Sequence, residues 1–395
     1  MPLGIYISVP FCRTKCTYCN FASDVFSKAV FGCYVDRICS DISHADSMAG
    51  EMHGVLERTV DSIYLGGGTP TVLEGKQLRR IFDKVRSEFE VSAGAEITVE
   101  CAPGTLSSEM LECLLRCGVN RVSLGVQSFV DQEAAAVGRL HKRETVLQDV
   151  SRLRSAGITN INIDLIAGLP HQTRESWDLS LAETIAAGVP HVSVYMLEVD
   201  EDSRLGRELI AGGARYHAHF VPDEDATADF YLAACEKLSA AGVEQYEISN
   251  FARTGFESRH NLKYWTRQPY LGFGVDAHSM LVSSAPEVDA VRFATSDSLE
   301  HYVSGAKLQP TPVLRHCALE EYFFLGLRLT RGVDLRELTA QFGDAALRNA
   351  RAAIPELAAQ ELIEQSGDQV CLTLRGRLLS NEVFQKFLLP DEVLQ

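Results

Sequence analysis

Apolar residues along this chain come in short, dense runs separated by longer amphipathic stretches. The runs "IYISV", "SIYL", "EITVE", "RVSLGV", "NINIDLI" and "HVSVYM" are rich in β-branched residues. They predict strands over Ile5–Val9, Ser62–Leu65, Glu96–Glu100, Arg121–Val126, Asn160–Ile166 and His191–Met196. The intervening segments repeat at helical spacing and predict helices over Ala29–Ser47, Gln77–Phe89, Ser107–Cys117, Glu144–Ala156, Glu175–Ala187 and Ala226–Ala241. Four joints share one grammar: "LLRCGVNRVSLG", "LRSAGITNINID", "TIAAGVPHVSVY" and "LSAAGVEQYEIS". Each ends a helix, turns at Gly118, Gly157, Gly188 or Gly242, and enters a strand, with glycine where a left-handed residue is wanted. Helix, glycine and strand in repetition predict a parallel α/β architecture of six βα units. The strands read as apolar at nearly every position, as expected when both faces are covered. Six units suit a partial barrel or a doubly wound sheet, with functional residues at the strands' C-terminal ends.

The texture changes near Ser283–Thr295, "SSAPEVDAVRFAT". Beyond Pro310, "LEEYFFLGLRLTRGVDL" and "AAIPELAAQELIEQ" read as helices, and "QVCLTLRGRLLSNEVFQKFL" as a strand leading into a helix. The expected organisation is an α/β domain over 1–285, a linker over 286–309 and a small, mainly helical, winged-helix-like domain over 310–395. A chain of 395 residues has room for this. Its net charge of −16 repels phosphate polymers and argues against a nucleic-acid partner. No apolar stretch approaches the roughly 20 residues that span a bilayer. The apolar N-terminus lacks a basic region and a small-residue cleavage site, so it reads as a strand and a cytoplasmic location follows.

Eleven cysteines are present. Their odd count and scattered positions argue against a disulfide framework. Cys33, Cys39, Cys113, Cys117 and Cys235 lie in helical patterns and read as small core residues. Cys12, Cys16 and Cys19 are different: they form C-x3-C-x2-C directly after the first strand. One alternative is a zinc site whose fourth ligand lies elsewhere. The other is a [4Fe–4S] cluster with three protein thiolates. Such clusters normally take four, so the missing ligand points to an iron open to the amino and carboxylate groups of S-adenosylmethionine (SAM).

A nucleoside pocket should then occupy the other strand ends. The second strand runs into "YLGGGTPT", where Gly66, Gly67 and Gly68 let backbone approach a ligand. The third ends at Glu100, placed to accept ribose hydroxyls. The fourth ends at Gln127. The fifth holds Asp164 in an apolar run, where a lone charge needs a partner, and Arg139 is the expected one. Singly, each reads as a capped turn or local ion pair. Jointly, five consecutive strand ends carry polar or glycine signals.

"YISVPFCRTKCTYCNF", "GGGTPT", "RVSLGVQSF", "NINIDLIAGLP", "YEISNFAR" and "LTLRGRLLSNEVF" resemble the radical SAM family of oxygen-independent coproporphyrinogen III dehydrogenases and their relatives, over nearly the whole chain. The resemblance implies a partial (β/α)6 barrel, a [4Fe–4S] cluster on Cys12, Cys16 and Cys19, and SAM. It further implies SAM pockets lined by Tyr6, Tyr18, Gly67, Gly68, Thr69, Glu100, Gln127, Arg139 and Asp164.

Within that family the dehydrogenases carry a further cysteine two residues after the third, where this chain has Phe21, and an extension before the first strand. This chain is read as having neither, and both absences favour the HemW-type heme-chaperone branch. "SRHNLKYW" fits that branch's H-N-x-x-Y-W heme motif at His260, Asn261, Tyr264 and Trp265. Imidazole is a good iron ligand, and Tyr and Trp offer flat apolar faces to a macrocycle. The plain alternative is a loop whose aromatics pack on the barrel and whose histidine caps a helix. "PYLGFGVDAHSM" adds a glycine-rich turn with Gly272, Gly274 and His278 near the expected barrel mouth. The resemblance implies heme as ligand and a recipient heme protein, a respiratory enzyme among the candidates. Peripheral membrane contact and a homodimer are compatible with it. The alternative function is oxidative decarboxylation of coproporphyrinogen III through a 5'-deoxyadenosyl radical. Radical chemistry on tRNA is disfavoured by the acidic charge and the lack of an RNA-binding module. Three departures stand out: Ser8 where the family has His, Cys101–Ala102 before Pro103, and the loop "LEVDEDSRLGREL".

Overall fold

The sheet that organises the molecule has six parallel strands at its centre, side by side in chain order: Leu3–Val9, Thr59–Gly67, Glu90–Cys101, Arg121–Gln127, Asn160–Ala167 and His191–Met196. This is a computed structural model, and it describes residues 1–388. All six expected strands form; the sixth keeps its expected bounds and the other five run longer, the third most of all. Helices Gly75–Glu88, Ser108–Arg116, Arg143–Ser155, Arg174–Ala187 and Glu224–Ala240 fall where periodicity predicted them. The first long helical pattern breaks at His44 into Phe31–Ser43 and Ala45–Glu51.

The sheet does not close. Beyond the sixth strand lie antiparallel Asn250–Ala252 and Glu244–Glu247. On the other side Tyr270–Phe273 pairs parallel to the first strand, followed by antiparallel His278–Ser283, Val288–Ala294 and Thr311–Leu314. The stretch 286–309, read from composition as a linker, therefore contributes a paired strand and the helix Leu299–Ser304. Side chains from the second to the sixth strands line one cavity, so the sheet curves around it.

The outer face is apolar and packed under helices: Ile63, Leu65, Val99, Val122, Leu124, Ile161, Ile163, Leu165, Val192 and Val194 are buried there. The helix stripe Phe31, Tyr34, Val35, Ile38 and Ile42 covers the first strand. Cys33 lies on the solvent side of that helix and is exposed, contrary to the core expectation. Cys39 and Cys235 are half-buried, while Cys113 and Cys117 are buried.

The C-terminal region builds its own core from Leu319, Phe323, Leu335, Leu347, Ile354, Leu357 and Val370, with a three-stranded antiparallel sheet of Val333–Asp334, Gln369–Leu372 and Ile363–Ser366. Ile248 of the main sheet inserts into this core. Backbone bonds from Ile248 to Arg328 (3.1 Å) and from Thr330 to Tyr246 (3.0 Å) fix the two regions together. Buried Arg267 adds ion pairs to Glu321 at 2.8 Å and Asp289 at 2.9 Å. Among the described residues no helix is long and apolar enough to cross a membrane.

Tyr34 ties a helix to the end of the first strand. Its hydroxyl donates to the Ser8 carbonyl at 2.7 Å and accepts from the Val275 amide at 3.0 Å. Tyr34→Phe leaves both backbone groups buried and unpaired, and should cost about 1–3 kcal/mol in urea unfolding.

Candidate functional site

The cysteine loop leaves the first strand at Pro10 and is anchored by Phe11, which is buried and stacks on Phe31 at 4.1 Å and edge-on to Tyr34 at 5.0 Å. Backbone bonds from Cys12 to Asp24 (3.0 Å) and from Thr17 to Val137 (3.1 Å) hold its course. Cys12, Cys16 and Cys19 are free thiols lining a cavity of about 670 Å³. Each has a donor beside it. Arg139 Nη1 lies 3.5 Å from Cys16 Sγ, Lys15 Nζ 3.8 Å from Cys19 Sγ, and Thr69 Oγ1 3.9 Å from Cys12 Sγ. Burial pushes the Cys12 thiol up, and the Ser23 and Thr69 hydroxyls beside it offset that only in part. Among the described residues no three His, Cys, Asp or Glu side chains are placed to hold one metal ion. Three free thiols on one loop, sharing a cavity, are the donor set that a cluster with one open iron takes.

The other expected residues surround the same space. A side chain at Gly68 would meet the Val9 and Phe11 carbonyls at 2.7 and 2.9 Å, and Gly67 has φ +97°, so both positions require glycine. Glu100 accepts from Tyr64 Oη at 2.8 Å and the Gly67 amide at 3.1 Å. Burial pushes its carboxyl up to about 7, and these two bonds only partly offset that. Gln127 is buried at φ +70°, with Oε1 unpartnered. Tyr18 and Thr69 also line the cavity. Tyr6 and Ser8 instead face a smaller neighbouring cavity of about 310 Å³, which shares Gly67 and Glu100 with the larger one. Arg139 and Asp164 do not pair as expected. Arg139 bonds the Gly125 carbonyl and Cys16, while Asp164 accepts from Ser123 Oγ at 2.9 Å and Asn162 Nδ2 at 2.7 Å. Hydroxyl and amide neighbours on adjacent strands reach Asp164 first.

Sequence reasoning missed the inner face of the strands. "SIY", "RVSLG", "NINID" and "HVSVY" were read as apolar runs, yet their alternate residues are polar and point inward: Tyr64, Arg121, Asn162, Asp164, Ser193 and Tyr195 line the cavity, and Ser123 bonds Asp164 and Asn162 behind it. The signal was present as a period of two. These groups bond laterally. Asn162 Oδ1 meets His191 Nδ1 at 2.6 Å, Ser193 Oγ donates to Asn250 Oδ1 at 2.7 Å, and His191 Nε2 meets Tyr246 Oη at 2.9 Å.

The H-N-x-x-Y-W segment is a helix, Arg259–Trp265, rather than a loop. Glu96 caps it, accepting from the Arg259 and His260 amides at 3.1 and 3.0 Å, and Ser258 Oγ accepts from Asn261. Lys263 pairs with Asp61 at 2.7 Å. His260 is only 1% exposed. Its Nδ1 meets Ser62 Oγ at 3.0 Å and its Nε2 meets Tyr264 Oη at 2.9 Å, so neither nitrogen is open. Burial, aided by the Lys263 and Arg121 charges, pushes its pKa down to about 3 and keeps the ring neutral. Asn261 lines the large cavity and Tyr264 the small one. Trp265 backs onto Arg328, whose guanidinium lies 4.5 Å over its ring. His278 begins the strand after the Gly274 turn, is largely exposed and lines the small cavity.

The radical SAM superfamily model matches residues 6–184, and the HemN C-terminal domain model matches residues 315–379. The chain is 34% identical to the heme chaperone HemW of Bacillus subtilis over 390 residues, covering 97% of this chain and 98% of that one. It is 30% identical to the heme chaperone HemW of Escherichia coli over 389 residues, covering 98% of each. The chain belongs to the HemW family. Among solved structures, coproporphyrinogen III oxidase (HemN) from Escherichia coli superposes with a TM-score of 0.83 at 24% identity, over 98% of this chain and 90% of that one. At that identity the likeness establishes the radical SAM fold alone, which HemW-type chains thus share.

Glu100 supplies a pH test. Its carboxyl pKa is raised from the ordinary 4.5 to about 7 in the fold. The protonated acid is therefore the favoured form. Its contribution is complete below the unfolded-state value and fades as pH rises through about 7. Glu100→Gln mimics the protonated acid. In urea unfolding of the cofactor-free protein it should match the parent at about pH 4 and exceed it at about pH 8.

Proposed function

We propose that this protein is a heme chaperone that carries a [4Fe–4S] cluster and SAM, binds heme, and passes it to a recipient heme protein. The observation that carries this reading is the end-to-end match to proteins named heme chaperone HemW. Phe21 in place of a cysteine after the third motif cysteine supports it.

Cys12, Cys16 and Cys19 are the residues that would hold the cluster. Tyr6, Tyr18, Gly67, Gly68, Thr69, Glu100, Gln127, Arg139 and Asp164 would receive SAM. When bound, the cluster and SAM supply one-electron chemistry. The chain's own part is positional. Arg139 and Lys15 set positive charge beside the sulfurs, the Gly66–Gly68 turn admits a ligand to the backbone, and a protonatable Glu100 can accept or donate to hydroxyl groups.

Heme, as cargo, is assigned to the region of the motif helix. The small cavity beside it offers Tyr6, Tyr264, Tyr270 and His278. His260 is held in the neutral form that ligates iron. Its bonds to Ser62 and Tyr264 must open before it can do so. The motif thus holds its ligand closed until heme arrives. Delivery would take place in the cytoplasm, to a recipient such as a respiratory heme enzyme.

Two experiments check this. Anaerobic reconstitution should give about four irons per chain, and Cys12→Ala, Cys16→Ala and Cys19→Ala should each lose most of that iron and its visible absorbance. An anaerobic heme titration should then show saturable binding. His260→Ala should weaken it, and Tyr264→Phe, which uncaps Nε2, should tighten it. Equal binding by all three chains would move heme elsewhere. Robust conversion of coproporphyrinogen III by the reconstituted protein would replace the chaperone reading with the decarboxylase one.

A further inference from the structure

Three arginines on the wall of the large cavity lack a carboxylate partner. Arg121 lies deep in the barrel and is 2% exposed, with its Nε making no hydrogen bond. Arg328 is half-buried, its guanidinium stacked on Trp265 and its Nε likewise unpartnered. Arg377, from the C-terminal region, donates only to the neutral amide oxygen of Gln245, at 2.5 Å. Among the described residues none of the three forms an ion pair.

They share a neighbourhood. Arg377 and the Arg328 backbone are both fastened to the segment Gln245–Ile248, and the Arg121 charge reaches Tyr246 in the same segment. The acids nearby feel these charges, Glu247 that of Arg328 and Glu100 and Asp164 that of Arg121, but none closes to an ion pair. Asp164 is taken by Ser123 and Asn162, and Glu247 by Asn250. Burial pushes the carboxyls of Glu100, Asp164 and Glu247 up, toward their neutral forms. Arginine stays charged at any working pH. A wall of unpaired guanidinium groups is costly to bury unless an anion completes it, and the planar fork suits a carboxylate. In a chain of net charge −16, an anionic ligand needs such a local exception.

We propose that Arg121, Arg328 and Arg377 form a carboxylate-binding subsite that receives the acidic side chains of a tetrapyrrole. This rests on the heme reading above and deepens it: the small cavity assigned to heme shares Phe21, Gly67 and Glu100 with the large one, and the acidic arms would cross at that junction. Trp265 then acts as the platform that aims Arg328 into the cavity, a positioning role distinct from stacking on the macrocycle.

The test titrates the full-length protein with hemin and with hemin dimethyl ester, which keeps the macrocycle and iron but blocks both carboxylates. The parent should bind hemin at least about tenfold more tightly than the ester. Arg328→Gln and Arg377→Gln should each lower hemin affinity roughly tenfold and leave ester affinity unchanged. Arg328→Lys should retain part of the preference. Arg121→Gln is checked by circular dichroism before use; if it fails to fold, the other two variants carry the test. Equal affinity of the parent for the two ligands overturns the subsite while leaving the heme reading intact, as does a variant that keeps the full preference. A parent that binds neither ligand overturns both.

Discussion

Six parallel strands here enclose a polar interior, and the cost of burying polar groups shapes everything built on them. Every titratable acid or histidine for which burial dominates is driven toward neutrality. Glu100, Asp164 and Glu247 are shifted up, and His191 and His260 are shifted down. Arg121 and Arg139 cannot follow, so the interior acquires a positive bias inside an acidic molecule. The lateral ladder from Ser123 through Asn162, His191 and Ser193 to Asn250 satisfies most of the neutral groups. It also binds the fourth to sixth strands to the antiparallel hairpin that carries Ile248 and, through it, the C-terminal region.

The two ends of the strands are handled differently. At the C-terminal ends, glycines at 66–68 and the cysteine loop expose backbone and sulfur to the cavity. At the N-terminal ends, the helix Arg259–Trp265 closes the floor. Glu96 takes its free amides, Lys263 pairs with Asp61, and His260 sits among Gly4, Ser62, Tyr6 and Tyr64. A motif read for its iron ligand is therefore also the piece that seals the barrel. Any ligation by His260 would loosen the floor, because the two hydrogen bonds it would have to give up are among those that hold the helix in place.

The radical SAM fold is held in common with HemN, whose identity to this chain is 24%. What separates the HemW-type reading from that enzyme's name is carried by few positions, chiefly Phe21 and the motif helix. Neither changes the sheet. Both readings place a cluster on the same three cysteines, which is why heme binding, and not the presence of a cluster, is the informative property.

Local spacing made much of this legible in the chain itself. Short β-branched runs and helix-ending glycines determine the order of strands and helices, because both depend on contacts within a few residues. The C-x3-C-x2-C loop and the glycine turn were likewise readable, since their chemistry lies in consecutive positions. The tertiary structure decided the rest. Only the curvature of the sheet showed that alternate strand residues face a shared cavity, that Asp164 turns to Ser123 and Asn162 rather than Arg139, and that Arg121, Arg328 and Arg377 meet around one segment. His260 looked like an open ligand and is a buried one, because Ser62, nearly two hundred residues away, reaches it first. Sequence sets what each segment can be; which side chain finds which partner is set by distances that exist only once the strands have curved around the interior.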